Sequence, residues 1–383
     1  MHLTLSLTGH GFHPAGWRQS SAPALPGYRA PLQRAEAAGL DAVLLGPALG
    51  SPALLLSGGT DAVQLDPMPL LGSLVPHSQR IGLGAAVFMS HTEPFHTARA
   101  FAVLDNLSAG RTAWCVDTLQ LDQAQADFAH RPSPPTAATR YARALEYIQV
   151  VKQLWDSWQD DTIIADKASG IFAHGTRVHR IDHVGEHFTV RGPLTALRPR
   201  QGRPVIVQWD MGAEGLALAA ATADVFLATC LTLDEAQAFS AGLRAATAAA
   251  GRDPAALRIL LNVTPILAAS TAAAEDRAAL LDAAITPALA TALRDEVGAG
   301  ASRSALRFTG TATALAELMT AWVAAGACDG WNLRPAVLPD DLDALLGELA
   351  PALQRAGQLR QDYVGATLRE HLGLARPVNP NAA

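Results

Sequence analysis

Charge is what this chain has little of. Only 17% of its 383 residues are Asp, Glu, Lys or Arg, against 49% hydrophobic, which argues against a disordered chain and leaves ample material for a large core. The formal net charge is −6, with no cluster of Lys and Arg. No nucleic acid and no membrane surface is therefore expected as a partner. Cysteine is sparse as well. Cys115, Cys230 and Cys328 are odd in number and far apart, which speaks against a disulfide framework or a cysteine metal site and fits a reducing, cytoplasmic compartment. No stretch supplies about eighteen uncharged apolar residues, and the start MHLTLSLTGHGFHP lacks the basic-then-apolar order of a secretion signal. A G-x-S-x-G elbow and a P-loop are both missing. Gly82 and Gly84 form half of a dinucleotide fingerprint, but the third glycine is absent.

What is present is clearest between Arg80 and Thr118, RIGLGAAVFMSHTEPFHTARAFAVLDNLSAGRTAWCVDT. Pro94 suits the first turn of a helix and Gly110 its stop, and Ala98, Phe101, Leu104 and Leu107 are read as one apolar face. The flanking runs IGLGAAVF and TAWCV are apolar without alternation, as in strands buried on both faces of a parallel sheet. The same strand–helix alternation recurs. Candidate strands are His2–Thr8, Asp41–Gly46, Ile81–Phe88, Thr112–Thr118, Pro204–Gln208, Asp224–Ala228, Ile259–Ile266 and Asp329–Leu333. Helical patterns at Pro31–Ala38, Pro94–Leu107, Tyr141–Trp155, Glu214–Thr222, Leu233–Ala250 and Ala312–Ala325 fall between them. This pattern predicts an α/β fold, a (β/α)8 TIM barrel in one domain spanning residues 1–383. Residues 160–203 and 272–311 read as insertions within it. Leu342–Ala356 reads as a closing helix, and the tail beyond is expected to pack on the barrel or on a subunit neighbour.

Barrels of this kind place chemistry at the C-terminal ends of their strands. That rule selects His13 after the first strand, Phe88 and Met89 after the third, Cys115, Asp117 and Thr118 at the fourth, and Gln208 with Trp209 at the fifth. His13 suits a general acid or base near neutral pH, or equally a loop histidine meeting water. Asp117 is either catalytic or a structural hydrogen-bonding group, since a carboxylate inside a barrel is costly unless paired. Cys115 reads first as a buried thiol. Trp209 is a ring against a ligand or a plug in the mouth. His179, His183 and His187 have i, i+4, i+8 spacing, but Val184-Gly185 and the alternating HFTV argue against a helix, so no metal site is expected there.

The stretches GHGFHPAGWR, AEAAGLDAVLL, EPFHTARAFAVLDNLSAGR, RYARALEYIQVVKQLWDSW, DKASGIF, IDHVGEHFTVRGPL, QGRPVIVQ and DGWNL, with LQRAGQLRQDYVGATLREHLGL near the end, resemble the bacterial luciferase-like flavin monooxygenases. The likeness is to the branch containing nitrilotriacetate and dibenzothiophene-sulfone monooxygenases. The resemblance implies a homo-oligomeric barrel that binds reduced FMN, delivered by a separate flavin reductase, and uses molecular oxygen on a small organic substrate. It also implies that Thr118, Arg140, Tyr141 and Gln208 contact the cofactor, Tyr141 meeting the phosphate. Around them the family's polar groups are replaced: Pro47 after the second strand, Ala86-Val87-Phe88-Met89 at the third, Cys115 and Leu119 at the fourth, and Asp127-Phe128-Ala129 before the fourth helix. Gln208-Trp209-Asp210-Met211-Gly212 stands in the loop after the fifth strand. Phe88, Met89, Cys115, Trp209, Met211 and Gly212 are thus the expected pocket lining. Asp127 and Asp210 bring negative charge where a phosphate is expected. Three readings follow: a monooxygenase with an altered flavin pocket, a ligand-binding, non-catalytic relative that has lost the flavin, or a barrel enzyme with a different cofactor such as a deazaflavin or a metal.

Overall fold

The computed structural model describes residues 1–21, 27–46, 65–89, 92–118, 136–298 and 305–382. Among them the strands are, in chain order, β1 (His2–Leu7), β2 (Ala42–Leu45), β3 (Gly82–Phe88), β4 (Thr112–Asp117), β5 (Ile163–Asp166), β6 (Ile171–Ala173), β7 (His183–Val184), β8 (Thr189–Val190), β9 (Val205–Gln208), β10 (Val225–Ala228), β11 (Arg258–Leu267), β12 (Leu306–Gly310) and β13 (Gly330–Leu333). The helices are α1 (Arg29–Ala37), α2 (Pro67–Leu74), α3 (Pro94–Leu107), α4 (Ala137–Asp156), α5 (Ala213–Thr222), α6 (Leu233–Ala249), α7 (Thr271–Ala283), α8 (Pro287–Gly298), α9 (Ala312–Ala324), α10 (Ala350–Arg355) and α11 (Leu368–His371). Parallel pairing runs β10-β9-β4-β3-β2-β1-β13-β11, and β11 pairs back onto β10, so eight strands close a barrel. All eight apolar runs of the sequence are in it.

Alternation along each strand separates two layers. Leu3, Leu5, Val43, Leu83, Trp114, Ile206, Phe226, Ile259 and Trp331 face outward into the main strand–helix core. Ala42, Leu44, Ala86, Ala113, Cys115, Val205, Val207, Val225, Leu227 and Leu260 fill the barrel interior. Trp114 anchors the outer layer, with Phe101, Tyr147 and Trp155 rings at centroid distances of 6.1, 6.0 and 6.1 Å. Fully burying such side chains stabilises the fold by roughly 1.5–3 kcal/mol each.

Helix α3 has the expected bounds, but its buried face is Pro94, Thr97, Ala98, Phe101, Ala102 and Asp105. Leu107 lies 68% exposed. It sits nine positions after Ala98, which at about 100° per residue is the opposite side of the helix. The segment between α4 and β9 holds two short hairpins, β5–β6 and β7–β8. The segment after β11 holds α7, α8 and a strand absent from the expectation: β12 pairs with the second half of β11, Val263 to Leu267, past the Arg258–Leu261 stretch that pairs with β10. The expected closing helix begins as a π-helical stretch, Asp343–Leu349, and continues as α10.

The tail packs against the barrel. Leu368, Leu372 and Leu374 join the interior cluster from below, beside Ala42, Val205, Val225 and Leu260. Arg369 pairs with Asp224 over 2.7 Å and donates from Nε to the Arg203 carbonyl over 2.8 Å. Asp224 immediately precedes β10, so the ion pair ties the tail to the N-terminal ends of the strands. Access to the interior is left to the opposite end.

Candidate active site

The interior at the C-terminal end is divided by chemistry. One side is apolar: Cys115, Val207 and Leu227, with half-buried Trp209 packed on them. The other is a polar ladder across β1, β13 and β11. Thr4 Oγ1 donates to Asn332 Oδ1 over 2.9 Å, Asn332 Nδ2 donates to Asn262 Oδ1 over 2.8 Å, and Asn262 Nδ2 donates to Thr229 Oγ1 over 3.3 Å. Ser6 lies 3.1 Å from the same Asn332 oxygen. In-register pairing of Thr4 with Asn332, and of Asn332 with Asn262, sets these groups side by side. Sequence reasoning did not select Thr4, Ser6, Asn262 or Asn332. The signal was a lone Asn on an inward position in each of two apolar strands, with partners 328 positions away for Asn332 and 70 for Asn262.

The corner between β4, α4 and β9 gathers several of the selected residues. The Tyr141 and Thr118 hydroxyls both donate to Oδ2 of Asp210, Thr118 over 3.1 Å. The Gly212 N–H, at the start of α5, donates to Oδ1 over 2.9 Å. Burial, reinforced by the hydrogen bond to Asp210, pushes the Tyr141 phenol up to about 12, so it acts here as a donor. The Arg140 guanidinium lies over the Tyr141 ring, 5.3 Å from its centroid, and its Nε has no partner among the described residues.

Other selected residues go elsewhere. Gln208 follows inward Val207 and therefore faces outward, where its Nε2 donates to Thr222 Oγ1 of α5 over 2.7 Å. Met89 is buried in the outer strand–helix core, not in the barrel interior, and its carbonyl accepts from Arg143. Met211 packs against that same outer core and its sulfur accepts from the Thr229 N–H. Phe88 is half-buried beside buried Asp117, its register partner. The Cys115 thiol is held well above its ordinary range by burial, with the Asp117 charge adding to the shift, which removes it as a nucleophile at neutral pH. Pro47, Leu119 and Asp127-Phe128-Ala129 lie outside the described residues.

His13 is a fastening residue. Its Nδ1 accepts from the Ala15 N–H over 3.2 Å, and Nε2 lies 3.2 Å from Asp282 of α7. Asp282 in turn holds Arg307 of β12 through two hydrogen bonds of 2.9 and 2.8 Å. Burial lowers the His13 value below 6.5 despite Asp282, so the ring is neutral and ties the first loop to the segment after β11. His179, His183 and His187 lie on loop and hairpin, His183 bonding Glu146 over 3.0 Å. No helix among the described residues is long and apolar enough to cross a membrane.

An FMN phosphate needs donors and positive charge. Here the two hydroxyls and the amide at the start of α5 are already engaged by a resident carboxylate, which would repel a dianion. The corner therefore does not fit the FMN phosphate in this arrangement.

Comparison with known proteins agrees with the architecture along nearly the whole chain. N-acetyl-S-(2-succino)cysteine monooxygenase of Bacillus subtilis (strain 168) is 32% identical, the match covering 98% of this chain and 97% of the relative. Nitrilotriacetate monooxygenase component A of Aminobacter aminovorans is 33% identical over 82% of this chain and 80% of its own. The solved EDTA monooxygenase from Chelativorans sp. BNC1 superposes with a TM-score of 0.85 at 25% identity, covering 98% of each chain. Residues 9–343 match the family model for luciferase-like monooxygenases. With the closed barrel, a relative 32% identical over 98% of the chain and the family model matched over residues 9–343, the chain belongs to the luciferase-like monooxygenase family.

Proposed function

We propose that this chain is the oxygenating component of a two-component monooxygenase, using a reduced flavin from a separate reductase to oxygenate a small organic substrate at the barrel mouth. The observation that carries the reading is the match, over 98% and 82% of this chain, to relatives named as monooxygenases. One of these is designated a component, as expected where reduction and oxygenation reside on different chains. Within the site, the chain's own groups supply little acid–base chemistry. The apolar wall of Cys115, Val207, Leu227 and Trp209 excludes water, and the Asn332–Asn262 ladder offers oriented amides. Such a division suits a protein that binds and shields while a cofactor carries the redox step. The two relatives' names describe a thioether and an amine, each with several carboxyl groups. Compounds of those classes are the first substrates to try.

A second reading has an observation of its own. Trp209 packed on the interior cluster and Asp210 filling the donor corner are what a relative that had lost its cofactor would show. The two separate in an anaerobic titration with reduced riboflavin and reduced FMN, followed by tryptophan fluorescence. Saturable binding in the micromolar range supports the enzyme. Failure of both flavins to bind at attainable concentrations overturns it in favour of the second reading.

A further inference from the structure

The corner at the start of α5 is built to hold an anion. It combines the amino end of a ten-residue helix, two hydroxyl donors, Thr118 just after β4 and Tyr141 of α4, and a guanidinium lying on the ring of one of those donors. Each element favours negative charge, and together they match the demands of a phosphate monoester. The anion they hold belongs to the chain: Asp210 takes Tyr141, Thr118 and the Gly212 amide at once.

The neighbouring backbone is shaped to this arrangement. Gly215 lies in the first turn of α5, where a Cβ would fall 2.5 Å from Asp210 Cγ and 2.6 Å from the Asp210 carbonyl oxygen. Any larger residue would push the carboxylate off the helix end. The absence of a side chain at Gly215 and the presence of a carboxylate at Asp210 are thus two halves of one fit.

Resting on the flavin reading above, we infer that Asp210 stands in place of the ligand's phosphate, so that the site selects a flavin lacking a terminal phosphate, of the riboflavin class, over FMN. To bind FMN in this corner, the protein would have to break three hydrogen bonds to a carboxylate, or seat a dianion against a like charge. Either penalty is absent for a neutral ribityl end, whose hydroxyls can donate to Asp210 in place of displacing it.

The test compares riboflavin and FMN, each oxidised and anaerobically reduced, by equilibrium titration of the full chain and of two variants. Asp210→Ser opens the corner; Asp210→Asn keeps its shape without the charge and serves if the serine form does not fold. The unmodified chain is expected to bind riboflavin about tenfold or more tightly than FMN, with millimolar inorganic phosphate having no effect. Either variant is expected to narrow or invert that preference, with phosphate now competing against FMN. Equal or tighter binding of FMN by the unmodified chain overturns the inference alone. An unchanged preference in the folded variants also overturns it, because Asp210 would then not be its source. No binding of either flavin to any form overturns the flavin reading and the inference with it.

Discussion

Burial decides what the titratable side chains of this barrel can do. The three thiols are all buried, and burial raises each of them, Cys230 to about 11 and Cys328 to about 12. None should react with a disulfide reagent at neutral pH in the native state, and all three should react once the chain is unfolded in guanidinium. A thiol titrating within seconds in native protein would contradict this. His13 makes the opposite case for a base. Its folded value lies below the 6.5 of the free side chain, so as pH falls through 6.5 the unfolded chain takes up a proton that the folded chain refuses. Stability present above that pH is lost below it. The melting temperature should therefore fall between about pH 7.5 and 5.5, and a His13→Asn variant should show a shallower fall over the same range. Parallel slopes for the two proteins would remove His13 from the account.

Most elements were legible where a local rule decided them, although α2 was missed despite its Asp66 cap and Pro67 in its first turn. Pro94 and the Ala109-Gly110 turn, both residues in the left-handed region at φ 59° and 88°, bound α3 as its sequence implies. Four-residue strands such as β9 and β13 announced themselves as apolar runs between turns. β12 was missed because its partner is remote. β12 has a sequence, LRFTG, that makes a strand only because the long β11 extends past its pairing with β10 and offers Val263 to Leu267 as an edge. The tail illustrates the same dependence on tertiary contact: α11 is four residues long and is held by burial and by Arg369. Leu368 packs against Gly82 so closely that a Cβ there would fall 2.6 Å from Leu368 Cδ1. Leu368→Ala should cost about 2–4 kcal/mol in denaturant unfolding. Gly82→Ala should also destabilise, and the double variant should lose less than the two costs summed, since the shortened side chain makes room for the added methyl. Simple additivity would show that the tail does not plug the barrel floor as described.

At the scale of the whole molecule, the barrel places together residues that no sequence window contains. Tyr141 and Asp210 are separated by 69 positions and Thr118 and Asp210 by 92. The sequence thus shows a worrying carboxylate in a loop but not the donors that hold it. Gln208 was open to a better reading. Inward Val205 and Val207 make an outward Gln208 and an inward Trp209 the expectation of simple alternation, as the structure has them. The Asn262–Asn332 contact needed the register between β11 and β13.

The central claim, that this barrel oxygenates a small molecule with a flavin it does not itself reduce, is tested most directly by oxygen labelling. The chain is combined with a flavin reductase, reduced nicotinamide, riboflavin or FMN, and 18O2, and offered thioether and amine polycarboxylates. The account predicts product carrying one 18O atom, formed only when both the chain and the reductase are present. Reduced flavin bound and consumed, with every equivalent of oxygen recovered as hydrogen peroxide and no label in any substrate, would contradict it.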